Sequence, residues 1–148
     1  MTFINSNSYP KSIANNLLNG IFVRMKNAYG IKKISLRVNE KELLVYTTLA
    51  EKAVGYRKLL ADHGLVVYLQ ADGTTIELFG PGSVYPEYLF SGSDSVVSYR
   101  VSDIETTVSE LERTGAKTLS PIQRGTSGYR FCHLAINGKA VFGVFENV

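Results

Sequence analysis

Few side chains in this 148-residue sequence carry reactive chemistry. The chain holds two histidines, His63 and His133, and one cysteine, Cys132. His63 stands before Gly64 at what reads as a helix end, where a cationic ring complements the helix dipole. Cys132 reads as a small buried hydrophobe rather than an activated thiolate. Glu77, in "GTTIELFG", becomes a general base if burial raises its pKa. The loop "SPIQRGTSGYRF" sets Gln123 and Arg124 among glycines and serines, a composition suited to meeting a ligand above a rigid scaffold. It lacks the Gly-Lys-Ser/Thr of a phosphate-binding loop. No metalloprotease, nucleophile-elbow, zinc-finger or dinucleotide-binding signature is present.

The elements that position these residues repeat. "TLAEKAVGYRKLLADHG" carries Thr48 and Glu51 at capping-box spacing and predicts a helix ending at Gly64. "SDIETTVSELERTG" carries Ser102 and Glu105 at the same spacing and ends at Gly115. Ile104, Val108 and Leu111 give that second helix one apolar stripe. Each helix precedes a hairpin, one with Asp72-Gly73 and one with Asn137-Gly138, both read as two-residue turns. "SPIQRGTSG" adds a short strand to the second half. "ISLRVNE" and "ELLVYTT" compete for the opening strand of the first. Residues 1–30 stand outside the repeat. Their Ile13, Leu17 and Ile21 have helical spacing, although Gly20 interrupts them, and a packing or dimer-forming extension is the expected role.

A two-residue Asp72-Gly73 turn sets Tyr68 opposite Glu77 and sorts the first hairpin into two faces. Leu65, Val67, Leu69, Ile76 and Leu78 form an aliphatic face that belongs under a helix. Val66, Tyr68, Gln70, Thr75, Glu77 and Phe79 form a mixed aromatic and polar face, which suits a ligand cavity or a solvated surface. The second hairpin divides into Arg130, Cys132, Leu134, Val141, Gly143 and Phe145 against Tyr129, Phe131, His133, Phe142, Val144 and Glu146. A register one residue off reverses that division.

Composition is that of a soluble globular domain: 45% apolar, 20% charged, net charge +3. The 16 basic residues are scattered, so no nucleic-acid partner is expected. A single cysteine excludes an internal disulfide and fits a reducing, cytoplasmic setting. The N-terminus lacks the pattern of a signal peptide, and no apolar run is long enough to cross a bilayer, so no membrane partner is expected.

The stretch "VVSYRVSDIETTVSELERTGAK", the loop "SPIQRGTSGYRF" and the endings "GTTIELFG" and "AVFGVFE" resemble the glyoxalase/bleomycin-resistance/dioxygenase (vicinal oxygen chelate) superfamily. The resemblance implies an α+β fold of paired βαβββ modules, a cup-shaped mixed sheet with helices outside. The domain would span 31–148, with halves at about 31–91 and 92–148. Many members hold a divalent metal in the cup through two side chains from each half. Here the matching places fall on Val96 and on Gly143 or Phe142, which cannot coordinate, on Glu77, and on Lys41 or Glu42. No cofactor is expected, and a divalent metal is not expected. Two glutamates alone would hold Mg²⁺ or Mn²⁺ weakly.

Matching Gly143 to a ligand place puts Arg130, Cys132 and Phe145 in the cup and turns His133 toward a helix. Ser98 and Arg100 join the cup, while Val97, Tyr99 and Val101 lie under the second helix. Glu77 and Arg100 would then share one cavity, holding a polar ligand or tying the halves together as a salt bridge. The expected function is metal-independent binding of an aromatic or amphipathic small molecule, an antibiotic or a metabolite. The ligand-binding residues would be Tyr68, Gln70, Thr75, Glu77, Phe79, Ser98, Arg100, Arg130, Cys132 and Phe145. The alternative is a lyase, isomerase or dioxygenase with Glu77 as metal ligand or base. The resemblance also implies a homodimer.

Overall fold

The computed structural model describes residues 29–125, 129–137 and 140–147. The helix expected around Ile13, Leu17 and Ile21, and the second turn residue Gly138, lie outside the described residues.

The first half runs β1 (Gly30–Arg37), α1 (Glu40–Thr48) with a π-helical continuation (Leu49–Val54), β2 (Arg57–Asp62), β3 (Leu65–Leu69) and β4 (Thr75–Phe79). The second runs β5 (Ser95–Arg100), α2 (Ile104–Arg113), β6 (Lys117–Thr118), β7 (Gln123–Arg124), β8 (Arg130–Ala135) and β9 (Val141–Glu146). The strands form one mixed sheet in the order β2-β3-β4-β1-β5-β9-β8-β6, with β7 alongside β8. The order inverts about the antiparallel β1–β5 seam, so each half is a βαβββ unit, as the repeated sequence pattern implies. "ISLR" belongs to the opening strand, and "ELLVYTT" is helix.

Helix α1 begins nine residues before the expected start because its capping box is Asn39 and Glu42. The Asn39 side chain accepts from the Glu42 N–H at 2.8 Å, and Glu42 Oε1 accepts from the Asn39 N–H at 3.1 Å. The helical run ends at Gly55, which takes the left-handed conformation with φ 77°. What reads as the rest of that helix is β2. His63 is therefore not at a helix end. With Gly64 it forms a two-residue turn, both at positive φ (46° and 84°), between the paired Asp62 and Leu65.

Helix α2 follows the sequence more closely. Asp103, one residue after the expected Ser102, caps it by accepting from the Thr106 N–H at 3.0 Å. Ile104 and Val108 are buried against Cys132, Leu134 and Val144. Under α1 the corresponding core is Val38, Ala50, Tyr68 and Leu78. Burying each such large side chain contributes about 1.5–3 kcal/mol. A third cluster lies on the opposite face of the sheet, where Leu89 and Phe90 of the linker between the halves cover Phe79, Val96 and Val141. None of the helices among the described residues is long and apolar enough to cross a membrane.

Candidate functional site

The concave face of the sheet is read outward from β1. Lys33 lies beside Thr75, and Ser35 beside Glu77, in the parallel β1–β4 ladder. Across the central seam Lys33 opposes Ser98, and Ser35 opposes Val96. Residues side by side on adjacent strands share a face, so all six line the cup. In the second half Ser98 lies beside Gly143. The two halves thus correspond place by place: Lys33 with Val96, Ser35 with Ser98, Glu77 with Gly143.

The face assignments of both hairpins differ from those expected, and for one reason. Leu69 pairs with Thr75 and Ala135 with Val141, leaving five residues between each pair rather than two. In the first hairpin the Gly73 N–H donates to the Gln70 carbonyl at 3.0 Å, and the Gln70 N–H to the Thr74 carbonyl at 2.8 Å. With Gly73 at φ 87°, this is a three-residue loop, a type I turn followed by a left-handed glycine. An odd loop shifts one strand of the hairpin by one residue against the other and exchanges that strand's faces, here those of β3 and β8.

Four expected ligand contacts are corrected by this shift. Tyr68 opposes Ile76 rather than Glu77 and is fully buried beneath α1, its hydroxyl donating to Glu51 Oε2 at 2.9 Å. Burial, reinforced by that carboxylate, pushes its phenol up to about 12. Gln70 lies at the turn and lines a shallow recess with Gly55, Tyr56 and Arg57. Cys132 is buried under α2 and donates to the Ser120 carbonyl at 3.3 Å, and burial raises its thiol pKa. Arg130 bonds Glu146 and Glu105 on the helix side. Glu146 Oε2 also accepts from the Ile104 N–H at 2.8 Å, and these contacts hold its carboxyl below the usual range.

Thr75, Glu77 and Phe145 line one open hollow of about 460 Å³, together with Lys33, Val67 and Tyr129. Leu59 and Leu60 of β2 complete an aliphatic wall. Lys33 Nζ stands 5.0 Å from the centre of the Tyr129 ring and 5.4 Å from that of Phe145. On the floor, Ser35 Oγ donates to Glu77 Oε1 at 2.7 Å. Phe79 faces the same side but is closed over by Tyr85 and Phe90, its ring packing edge-on against both. Ser98 is buried, and a Cβ on Gly143 would lie 2.4 Å from its Oγ. Arg100 does not bridge to Glu77; its guanidinium lies 5.9 Å from the centre of the Tyr29 ring.

His133 moves the other way, from the helix side to the cup. It opposes Gly143, packs against Phe131 and Tyr88, and sets Nδ1 3.2 Å from the Tyr88 hydroxyl. Burial, with a smaller push from Lys33, lowers its pKa to about 4, so the ring is neutral at pH 7. Sequence reasoning missed Lys33, Ser35, His133 and Tyr129. The alternation in "KKISLR" was the available signal for the first two.

The donor set does not fit a four-ligand divalent ion. Val96 and Gly143 offer no lone pair, and the first-half counterpart of Val96 is the ammonium of Lys33. Glu42, one of the residues expected at the remaining place, is engaged in the α1 capping box, and Lys41 is the helical residue beside it. Among the described residues no three His, Cys, Asp or Glu side chains converge.

No protein-family model matches the chain. No curated protein matches its sequence. Solved structures do match. A methylmalonyl-CoA epimerase from Mycobacterium tuberculosis is 18% identical with a TM-score of 0.56, over 80% of this chain and 88% of that one. A Streptomyces coelicolor methylmalonyl-CoA epimerase in complex with 2-nitronate-propionyl-CoA is 13% identical with a TM-score of 0.54, over 80% and 97%. A glyoxalase/bleomycin resistance protein/dioxygenase superfamily member from Vibrio splendidus is 13% identical with a TM-score of 0.54, over 77% and 96%. At these identities the likeness is one of fold.

Proposed function

We propose that this chain, which has the fold of the glyoxalase/bleomycin-resistance/dioxygenase superfamily, is a metal-independent small-molecule binding protein. The observation that carries this reading is the hollow beside Lys33, with aromatic, aliphatic and polar walls in one concavity. Tyr129 and Phe145 offer ring faces, Leu59, Leu60 and Val67 an aliphatic wall, and Lys33, Thr75 and Glu77 polar groups. Sites of this make-up take amphipathic ligands, the apolar body supplying affinity and the few polar groups orientation. The lost ligand places of the second half support independence from metal. A homodimer is part of the proposal, checked by light scattering.

A second reading rests on Glu77, the carboxylate in the lining of the hollow, held by Ser35. A reaction that removes a proton from a bound substrate would use it as the base.

Fluorescence titration with N-phenyl-1-naphthylamine tests the binding reading. Saturable binding at one site per chain is expected, unchanged by chelator or by added Mn²⁺ or Ni²⁺. Thr75→Trp, which fills the hollow, should abolish it. Binding that survives Thr75→Trp, or that requires a divalent ion, would overturn the proposal.

A further inference from the structure

We propose that Lys33 selects ligands that carry an anionic group, a carboxylate or similar, next to an aromatic body. The inference rests on the binding reading above. Lys33 rises from β1 into the middle of the cup and is partly buried. No carboxylate of the described residues comes within ion-pair distance of its ammonium; its neighbours are the rings of Tyr129 and Phe145. Glu77 lines the same hollow, but its Oε1 is taken by Ser35. His133, within electrostatic reach of Lys33, is kept neutral by its surroundings. The other charged pairs of this fold, such as Arg130 with Glu146 and Arg37 with Asp94, have their counter-charges built in.

The ammonium stands against two ring faces in a hollow open to solvent. A ligand that fills the hollow removes that solvent. A neutral ligand then leaves a desolvated cation with ring faces alone, which is unfavourable. An anionic ligand replaces the solvent with a charge-assisted hydrogen bond, and its aromatic body rests against Tyr129 and Phe145. The polar and aromatic parts of the ligand must therefore be adjacent, because the ammonium and the rings are.

The test is calorimetric titration with 1-naphthylacetate and its neutral isostere 1-naphthylacetamide, into wild type, Lys33→Met, Lys33→Arg and Thr75→Trp. Wild type should bind the acid about ten-fold or more tightly than the amide, the usual scale for a hydrogen bond to a charged group. Lys33→Met should erase the difference by weakening the acid alone, and Lys33→Arg should retain it. Thr75→Trp should block both compounds. Equal affinity of wild type for both, still blocked by Thr75→Trp, would overturn the anion selectivity and leave the binding reading standing. Failure of both compounds to bind saturably, or binding indifferent to Thr75→Trp, would overturn both. Thermal melts of each variant separate loss of a contact from loss of the fold.

Discussion

Ser35 and Glu77 stand side by side on β1 and β4, and the serine Oγ donates to Glu77 Oε1 over 2.7 Å. Ser35 is buried, so the carboxylate is fixed from within the sheet rather than by solvent. Ser35→Ala should cost about 1–2 kcal/mol, because one partner of a charge-assisted bond is left behind. In a Glu77→Gln background the same change should cost less. Urea denaturation of the four proteins gives the coupling, and a coupling near zero would show that the bond holds nothing.

His133 predicts a pH dependence. Its folded pKa is about 4, against an ordinary value of 6.5, so folding favours the neutral ring. The contribution is complete above roughly pH 6.5 and is lost progressively as the pH falls toward 4. Its size is on the order of 3 kcal/mol. Other groups titrate in the same window, so the measurement is a difference. Wild type minus His133→Phe stability, followed from pH 7 to 4, should fall in this range and level off below it. A flat difference would mean that the ring is not desolvated.

Gly143 has no space for a side chain. A Cβ there would lie 2.4 Å from Ser98 Oγ and 3.2 Å from His133 Cδ2. Gly143→Ala should destabilise by about 1–3 kcal/mol through overpacking. Combining it with Ser98→Ala should recover part of the loss, since the Ser98 Cβ at 3.1 Å stays close. Melting temperatures of the single and double variants decide it. The same crowding makes Gly143→Glu, the change that would add a carboxylate at this place, incompatible with the packed sheet.

Glu146 ties β9 to the first turn of α2 through the Ile104 N–H. Glu146→Ala should cost about 2 kcal/mol, the upper range for a lost helix cap. Arg130→Met should cost less, because it leaves that bond in place. Hydrogen exchange should quicken at the start of α2 in the first variant and not in the second. Equal quickening in both would assign the cap to the ion pair instead.

The sequence carried the fold further than the site. Ile104, Val108 and Leu111 identified α2, and Gly115 its end, because a strong apolar stripe and a cap agree there. Helix α1 was displaced because Thr48 and Glu51 imitate the capping box that Asn39 and Glu42 form. Two tight turns were legible as turns but not as lengths. Asp-Gly serves a two-residue turn and a three-residue loop equally well, since both need a left-handed glycine. That ambiguity moved Tyr68, Cys132 and Arg130 to the wrong side and concealed His133. Thr75, Glu77 and Phe145 were placed in the cup nonetheless. For Thr75 and Glu77 the slip is carried by β3. Phe145 changes partner yet stays with Gly143 and Val141 on its own strand. Lys33 was missed because its strand competed with a helix for the opening position.

The odd-numbered loops carry a consequence of their own. Glu77 is pinned by β1, so removing Leu69 with the three-residue loop kept would leave β4 where it is and slide β3 by one step. Val67 would turn beneath α1 opposite Ile76, and Tyr68 would swing into the hollow opposite Thr75. No single exchange of one amino acid for another does this. The lining of such a cup is therefore remodelled most abruptly by gain or loss of one codon within a strand, which exchanges the face of every residue from that point to the strand's far end.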